Sequence, residues 1–189
     1  MRNIFKRFSI IAILVLMFFS FSPPSFAQVE ELTLRVDGLA CAFCAYGLEK
    51  KLKSLEGIKS LDISLKKGIA KLVFKEDNNV DLTKIKTMVK NAGYTLRSIT
   101  LTASGTIHKE KDYFFFDIKG NQNKLYIFDE YTQEELKEKP LAIPLNEEFK
   151  KRLEEFFKDK TLLRITGTVH SHPDGSFGLY IYDYSAEGK

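Results

Sequence analysis

The apolar side chains of residues 32–100 follow two alternating spacings, and this pattern limits the fold more than any other feature of the chain. In "LTLRVD" (residues 32–37) every second residue is apolar, as in a strand with one buried face. From Cys44 to Leu55 apolar residues recur every third or fourth position, as on one side of a helix. Further segments of both kinds follow in the order βαββαβ, which predicts an α+β, ferredoxin-like fold.

Turn and capping residues mark the ends of these segments. Gly57 ends the first helix, and Gly68 lies in a hairpin turn where it can adopt a positive φ. Asp81 is placed to cap the second helix, which closes on Gly93.

The chain has two cysteines, Cys41 and Cys44. The pattern places Cys41 in the loop after the first strand and Cys44 in the first turn of the helix. The helix dipole and the unpaired N–H groups there favour a thiolate. Two thiolates on a loop of small residues suit a soft ion that accepts few ligands, namely Cu(I) or Hg(II). Zn(II) is less favoured because it generally takes four ligands.

The segment "GLACAFC" (residues 38–44), the amphipathic helix after it and "KNAGY" (residues 90–94) resemble the heavy-metal-associated (HMA) domain. The resemblance spans residues 31–101. It implies that Cys41 and Cys44 bind the metal and that Tyr94 lies beside the site. The family includes copper chaperones, modules of metal-pumping ATPases and periplasmic mercury-binding proteins. It therefore implies another CxxC protein or a metal-transporting ATPase as partner.

Three positions depart from the family pattern. Leu39 stands where the family has methionine, which is a conservative change if the side chain packs beneath the loop. Phe43 is bulky for its position, and we expect it either to shield the metal or to contact a partner. Ala40 replaces the acid that zinc, cadmium and lead modules often carry before the first cysteine.

Two other interpretations of the role of the cysteines remain open. A CxxC at a helix start is also the arrangement of thiol–disulfide redox proteins. Against that reading, Ala40 stands where such sites have an aromatic residue, and residues 28–100 contain no proline. The third reading is an interaction module whose cysteines are incidental.

The first 27 residues have the layout of a secretory signal peptide: a basic start, an apolar run and a small-residue cleavage site at Ala27. We therefore expect a secreted or periplasmic protein, attached to a membrane only if this segment is not cleaved. The apolar run is shorter than the roughly 20 residues that a membrane-spanning helix needs.

The charge distribution divides the remaining chain into two predicted domains, residues 28–101 and 102–189. Residues 28–100 hold 13 basic and 9 acidic residues, and residues 101–189 hold 13 basic and 16 acidic residues. The sequence of the second domain predicts three strands, then a helix capped by Asn146, then two more strands. A proline-containing loop precedes the helix. That is the element order of the OB-fold, a small β-barrel.

The second domain suggests a binding surface. Tyr180, Tyr182 and Tyr184 alternate along the last strand and are expected to share one face. The acidic balance argues against nucleic acid, so a protein or glycan is the expected partner. We find no set of residues that would support catalysis and expect a protein that is not an enzyme.

The three histidines of the chain, His108, His170 and His172, all lie in the second domain. Two of them end the similar segments "SGTIH" and "TGTVH". They are either structural residues of two strands or a second metal site.

Overall fold

The computed structural model describes residues 28–39, 41–76, 78–118, 121, 123–129, 145–172 and 174–187 of the 189-residue chain. The expected signal segment and the loop with Pro140 and Pro144 lie outside these residues.

The described part contains eight strands and three helices. The strands are β1 (Gln28–Asp37), β2 (Ile58–Ser64), β3 (Ile69–Phe74), β4 (Thr95–Glu110), β5 (Tyr113–Asp117), β6 (Leu125–Phe128), β7 (Leu162–Ser171) and β8 (Phe177–Ala186). The helices are α1 (Ala42–Lys53), α2 (Leu82–Asn91) and α3 (Glu147–Asp159).

The first half of the chain has the predicted ferredoxin-like arrangement. Its elements follow the order β1-α1-β2-β3-α2-β4, and its strands lie side by side as β2-β3-β1-β4 with antiparallel pairing throughout. The α+β class is confirmed. Gly68 has a φ of +63°, as expected for the β2–β3 turn.

Helices α1 and α2 each bury one face. Leu48 and Leu52 of α1 are fully buried, as are Leu82, Ile85 and Val89 of α2. Each such side chain contributes about 1.5–3 kcal/mol. The carboxylate of Asp81 accepts hydrogen bonds from the N–H groups of Thr83 and Lys84 at the start of α2, which confirms the predicted cap.

In the second half, each of five strands pairs with two others of the set. β4 pairs with β5 and β7, β5 with β6, β6 with β8 in parallel, and β8 with β7. Helix α3 contacts β4 and is capped by the predicted Asn146, whose side chain accepts from the N–H of Glu148.

Strand β4 joins the two halves because it runs without a break past residue 101. Residues 99–104 of this strand pair with β1 along one edge and with β7 along the other. A salt bridge between Glu30 of β1 and Arg164 of β7 spans the same junction, with the Arg164 Nε 2.9 Å from Oε2 of Glu30. The N–H of Leu82 in α2 donates to Oδ1 of Asn123, 3.0 Å away.

The three tyrosines of β8 do not share one face, contrary to the sequence expectation. Tyr180 lies opposite Thr168 of β7, and Tyr184 lies opposite Ile165 of β7. Thr168 and Ile165 are three residues apart along β7, so they point to opposite faces. An odd separation places the two rings on opposite sides of the sheet. The cause is a β-bulge at the Thr166/Gly167 step, which inserts one extra residue in β8.

Candidate metal centre

Cys41 occupies the N-cap position of α1. Its carbonyl accepts the N–H of Ala45 at 3.0 Å, the first hydrogen bond of the helix, and its side chain is exposed. Cys44 is the third residue of α1. Both cysteines therefore stand at the positive end of the helix dipole, as predicted, where a thiolate is stabilised.

The residues at the start of the loop between β1 and α1 hold it in place. Gly38 has a φ of +93°, a conformation that favours glycine. Leu39 follows it and is only 5% exposed, packed in the hydrophobic core. Burial of this side chain is the condition under which leucine is a conservative replacement of the family's methionine.

Tyr94 lies beside this loop. A β-carbon placed on Gly38 would be 3.4 Å from Cδ1 of Tyr94. Close by, Arg97 of β4 forms a two-pronged salt bridge with Asp37, the last residue of β1, with its Nε 3.1 and 2.9 Å from the two carboxylate oxygens. Tyr94 and this ion pair therefore stand at the end of the sheet from which the cysteine loop departs.

Cys41 is disulfide-bonded in the structure. An ion can bind the two sulfurs only after a reductant supplies two electrons and two protons to restore the thiols. The donor set that results, two soft sulfur atoms at a helix start, fits a soft cation.

Two aromatic side chains project from α1 next to Cys41. Phe43 is 90% exposed and Tyr46 is 64% exposed. They lie three residues apart, so they share one side of the helix. Large apolar side chains that are this exposed do not stabilise the fold.

The three histidines do not come together. Strands β4 and β7 are antiparallel, with Ile99 opposite Val169 and Thr106 opposite Leu162. His170 therefore lies at one end of this ladder and His108 beyond the other end. In the described part of the chain, no group of three His, Cys, Asp or Glu side chains could hold a metal. Of the two alternatives for the histidines, the second metal site is therefore wrong, because the strand register separates His108 from His170.

His172 is buried instead beside an aromatic ring. It is 4% exposed, its ring centre is 6.0 Å from that of Phe128, and its Nε2 has no hydrogen-bond partner among the described residues. Burial lowers the pKa of His172, although the carboxylate of Asp174 opposes this. Burial, and secondarily the neighbouring His172, lower the pKa of His170.

The sequence analysis missed a row of rings on the second half. His108 of β4, Phe115 of β5 and Tyr126 of β6 stand directly opposite one another. Their ring centres are separated by 5.5 Å and 6.2 Å. Each residue is ordinary for a strand, and only the pairing register brings the three together.

A ferredoxin-like sheet with paired cysteines at the first helix start defines a small metal-binding module. Residues 33–95 match the family model "Heavy-metal-associated domain". The chain belongs to this family.

Three relatives are similar to the first half of the chain. The copper chaperone CopZ of Staphylococcus saprophyticus is 31% identical over 65 residues, which cover 34% of this chain and 94% of the relative. The mercuric transport protein periplasmic component of Acinetobacter calcoaceticus is 32% identical over 75 residues, 40% of this chain and 81% of the relative. An Archaeoglobus fulgidus protein named "Probable copper-exporting P-type ATPase" is 34% identical over 64 residues, 34% of this chain and 8% of the relative.

Among the residues that the structure describes, no helix has both the length and the apolar character needed to cross a membrane.

Proposed function

We propose that this protein binds a soft heavy-metal ion, Cu(I) or Hg(II), between the thiolates of Cys41 and Cys44 and delivers or scavenges it outside the cytoplasm. The observation that carries the proposal is the position of Cys41, exposed at the N-terminus of α1, with Cys44 in the first helical turn. Membership in a heavy-metal-associated family supports the same reading.

The ion is chosen by the two sulfur donors. Cu(I) and Hg(II) accept two thiolates in a near-linear arrangement, whereas Zn(II) generally requires four ligands or three and a water. The relatives agree with these two ions, because one is named a copper chaperone and another a mercuric transport protein. Cu(I) and Hg(II) are therefore the two candidate ions for this site, and Zn(II) is less favoured.

Three neighbouring residues support the site. Leu39 anchors the loop in the core and Tyr94 packs against its first residue, so both hold the cysteines in place. Phe43 is placed at the exposed rim, where an incoming partner would meet it.

Delivery requires an acceptor. A pair of thiolates of which Cys41 is exposed can pass its ion to another two-cysteine module through intermediates in which both proteins share the metal. A CxxC protein or a metal-transporting ATPase is the partner that fits this chemistry. One relative carries the name of a copper-exporting ATPase.

The proposed location is the periplasm or the exterior, after cleavage near Ala27. The basic and apolar pattern of the first 27 residues supports this, and a relative is named a periplasmic component. The protein would meet a membrane only through an uncleaved segment.

For residues 102–189 we propose an OB-like barrel following a metal domain of residues 28–101. The support is the pairing of β4, β5, β6, β8 and β7, in which each strand pairs with two others of the set. In this arrangement β4 would serve both domains, since it also pairs with β1.

Metal titration under anaerobic, reducing conditions tests the proposed function. The reduced protein should bind one Cu(I) or Hg(II) per chain. Cys41→Ser and Cys44→Ser should each lose most of the affinity, since one thiolate cannot chelate. The oxidised wild-type protein is a matched control with an unchanged sequence, and it should bind none. Tight stoichiometric binding by the variant that carries both Cys41→Ser and Cys44→Ser would contradict the proposal.

A thiol–disulfide redox protein is the second candidate, favoured by the disulfide at Cys41. It predicts multiple turnovers of disulfide reduction with a dithiol reductant. A single stoichiometric exchange without turnover would leave metal binding as the function.

A further inference from the structure

The chain has two aspartate–glycine steps, and they lie in different surroundings. Asp37–Gly38 is the point at which β1 ends and the cysteine loop begins, and Asp174–Gly175 lies in the turn between β7 and β8. Both glycines have a positive φ, +93° and +87°. Aspartate followed by glycine is chemically labile, because a residue without a β-carbon lets its backbone nitrogen approach the preceding carboxyl group closely.

The reaction at such a step is a loss of water followed by its return. The glycine nitrogen attacks the carboxyl carbon of the aspartate side chain and forms a C–N bond. The N–H proton and the carboxyl OH leave together as water, and a five-membered imide results. Water then breaks the bond between the nitrogen and the main-chain carbonyl carbon. The product is isoaspartate, in which the chain runs through the side-chain carboxyl group and is longer by one methylene. No oxidant or reductant is needed.

At Asp174 both reacting groups are held by the turn itself. The carboxylate of Asp174 accepts hydrogen bonds from the N–H and the hydroxyl of Ser176, at 2.9 and 2.7 Å. The N–H of Gly175, whose nitrogen would attack, donates to the carbonyl of His172 at 3.1 Å. Ring closure at this step has to break the hydrogen bonds of both reacting groups.

At Asp37 the carboxylate is held by a side chain of another strand. Arg97 of β4 contacts both carboxylate oxygens through Nε, at 3.1 and 2.9 Å, and contacts Oδ2 again through Nη2 at 2.8 Å. These contacts turn the carboxyl group towards β4. The side chains are 65% and 45% exposed, respectively, and an ion pair this open to solvent is weak. The orientation of the reactive carboxyl group at Asp37 therefore depends on an interaction that opens easily.

We propose that Asp37–Gly38 is a site of spontaneous isomerisation to isoaspartate, and that Arg97 is a positioning residue that slows the reaction by holding the carboxylate towards β4. Asp37 reacts faster than Asp174, because its exposed ion pair opens more easily than the hydrogen bonds of the β7–β8 turn. The product lengthens the main chain at the residue from which the cysteine loop leaves β1. The reaction does not depend on the proposed metal function.

Peptide mapping of the full-length protein after incubation at neutral pH for several weeks tests the proposal. Trypsin places Asp37 and Asp174 in separate peptides, residues 36–50 and 165–189. Electron-transfer fragmentation locates isoaspartate in each peptide. In the wild type we expect isoaspartate at Asp37 and less of it at Asp174. A synthetic peptide of residues 36–50, which lacks Arg97, gives the unrestrained rate and should isomerise faster than the protein does.

Variants of the ion pair test the role of Arg97. Arg97→Gln should raise the rate at Asp37 by about fivefold, as the loss of one exposed ion pair allows, and leave the rate at Asp174 unchanged. Arg97→Lys keeps the charge without the planar fork and should lie between. Asp37→Glu keeps a carboxylate for Arg97 but would have to close a six-membered ring, so it should give no product. The matched control is Arg164→Gln, which removes the exposed ion pair with Glu30 and should not affect Asp37.

Three results would overturn the proposal. The first is an intact Asp37 in the protein after the time in which the synthetic peptide isomerises completely. The second is as much isoaspartate at Asp174 as at Asp37 in the wild type. The third is an Arg97→Gln variant with an unchanged rate at Asp37, or with an equal rise at both steps, since the substitution would then have loosened the whole fold.

Discussion

The ring of Tyr94 packs against Gly38, the residue at which the chain leaves β1 for the cysteine loop. A β-carbon on Gly38 would lie 3.4 Å from Cδ1 of Tyr94, which is an ordinary contact distance. The space at Gly38 is therefore sufficient for a methyl group, and the constraint on this residue is its φ of +93°. The loop geometry thus depends on a glycine whose neighbour is the aromatic ring beside the proposed metal site.

Gly38→Ala should destabilise the protein by about 1–2 kcal/mol because alanine disfavours positive φ. Gly38 directly precedes the cysteine loop, so we expect the strain to alter the geometry of that loop and Cu(I) affinity to fall by up to about tenfold. Urea denaturation and competitive Cu(I) titration measure the two effects. Gly175→Ala is the control, since Gly175 has a φ of +87° with open space around it in the β7–β8 turn. It should lose stability but keep its metal affinity.

Leu39→Met should be tolerated, and Leu39→Ala should not. Methionine has nearly the same volume as leucine and costs less than about 1.5 kcal/mol in a core. Alanine leaves a cavity under the loop, at a cost of about 2–5 kcal/mol. Denaturation midpoints of the oxidised proteins check both values. A large loss with methionine would contradict the role of Leu39 as a packing anchor.

Phe43→Ala should leave stability within about 0.5 kcal/mol of the wild type, because the side chain is 90% exposed. Cu(I) affinity should also persist, while transfer to an acceptor with two cysteines should slow. Stopped-flow transfer kinetics measure the change. Tyr182→Ala removes another exposed aromatic side chain, 53% exposed, from a distant strand and should transfer normally. Lost affinity with normal transfer would instead show that Phe43 shields the ion.

Acidification should destabilise the fold through His172. Unfolded histidine titrates near pH 6.5, and burial lowers the pKa of His172 in the folded state. The unfolded chain therefore binds more protons below about pH 7, so stability falls as the pH drops through 6.5 and stops falling below the folded pKa. His172→Gln should flatten this dependence in urea denaturation series between pH 7.5 and 5. His108→Gln is the control, because the side chain of His108 is exposed and lies on β4, away from His172. An unchanged slope in His172→Gln would assign the effect to other groups, of which the nearby His170 is the first to examine.

Much of the first half could be predicted from local pattern. Its helices and strands bury one face each, so their spacing shows in the sequence, and the capping role of Asp81 depends only on residues next to it. The positions of Cys41 and Cys44 at the start of α1 follow from the same local logic. The positions of the tyrosines and histidines in the second half could not be predicted, because they depend on strand register. One bulge in β8 moves Tyr184 to the face opposite Tyr180.

The sequence by itself determined the βαββαβ order and the pair of thiols at a helix start, because both depend on residues that are neighbours along the chain. The tertiary structure alone decided which distant residues meet. It separated His108 from His170 through the antiparallel β4–β7 ladder, and it aligned His108, Phe115 and Tyr126 across three strands. It also buried His172 against Phe128. Shifting a strand by one residue exchanges its two faces without changing its composition, so local pattern cannot decide such contacts.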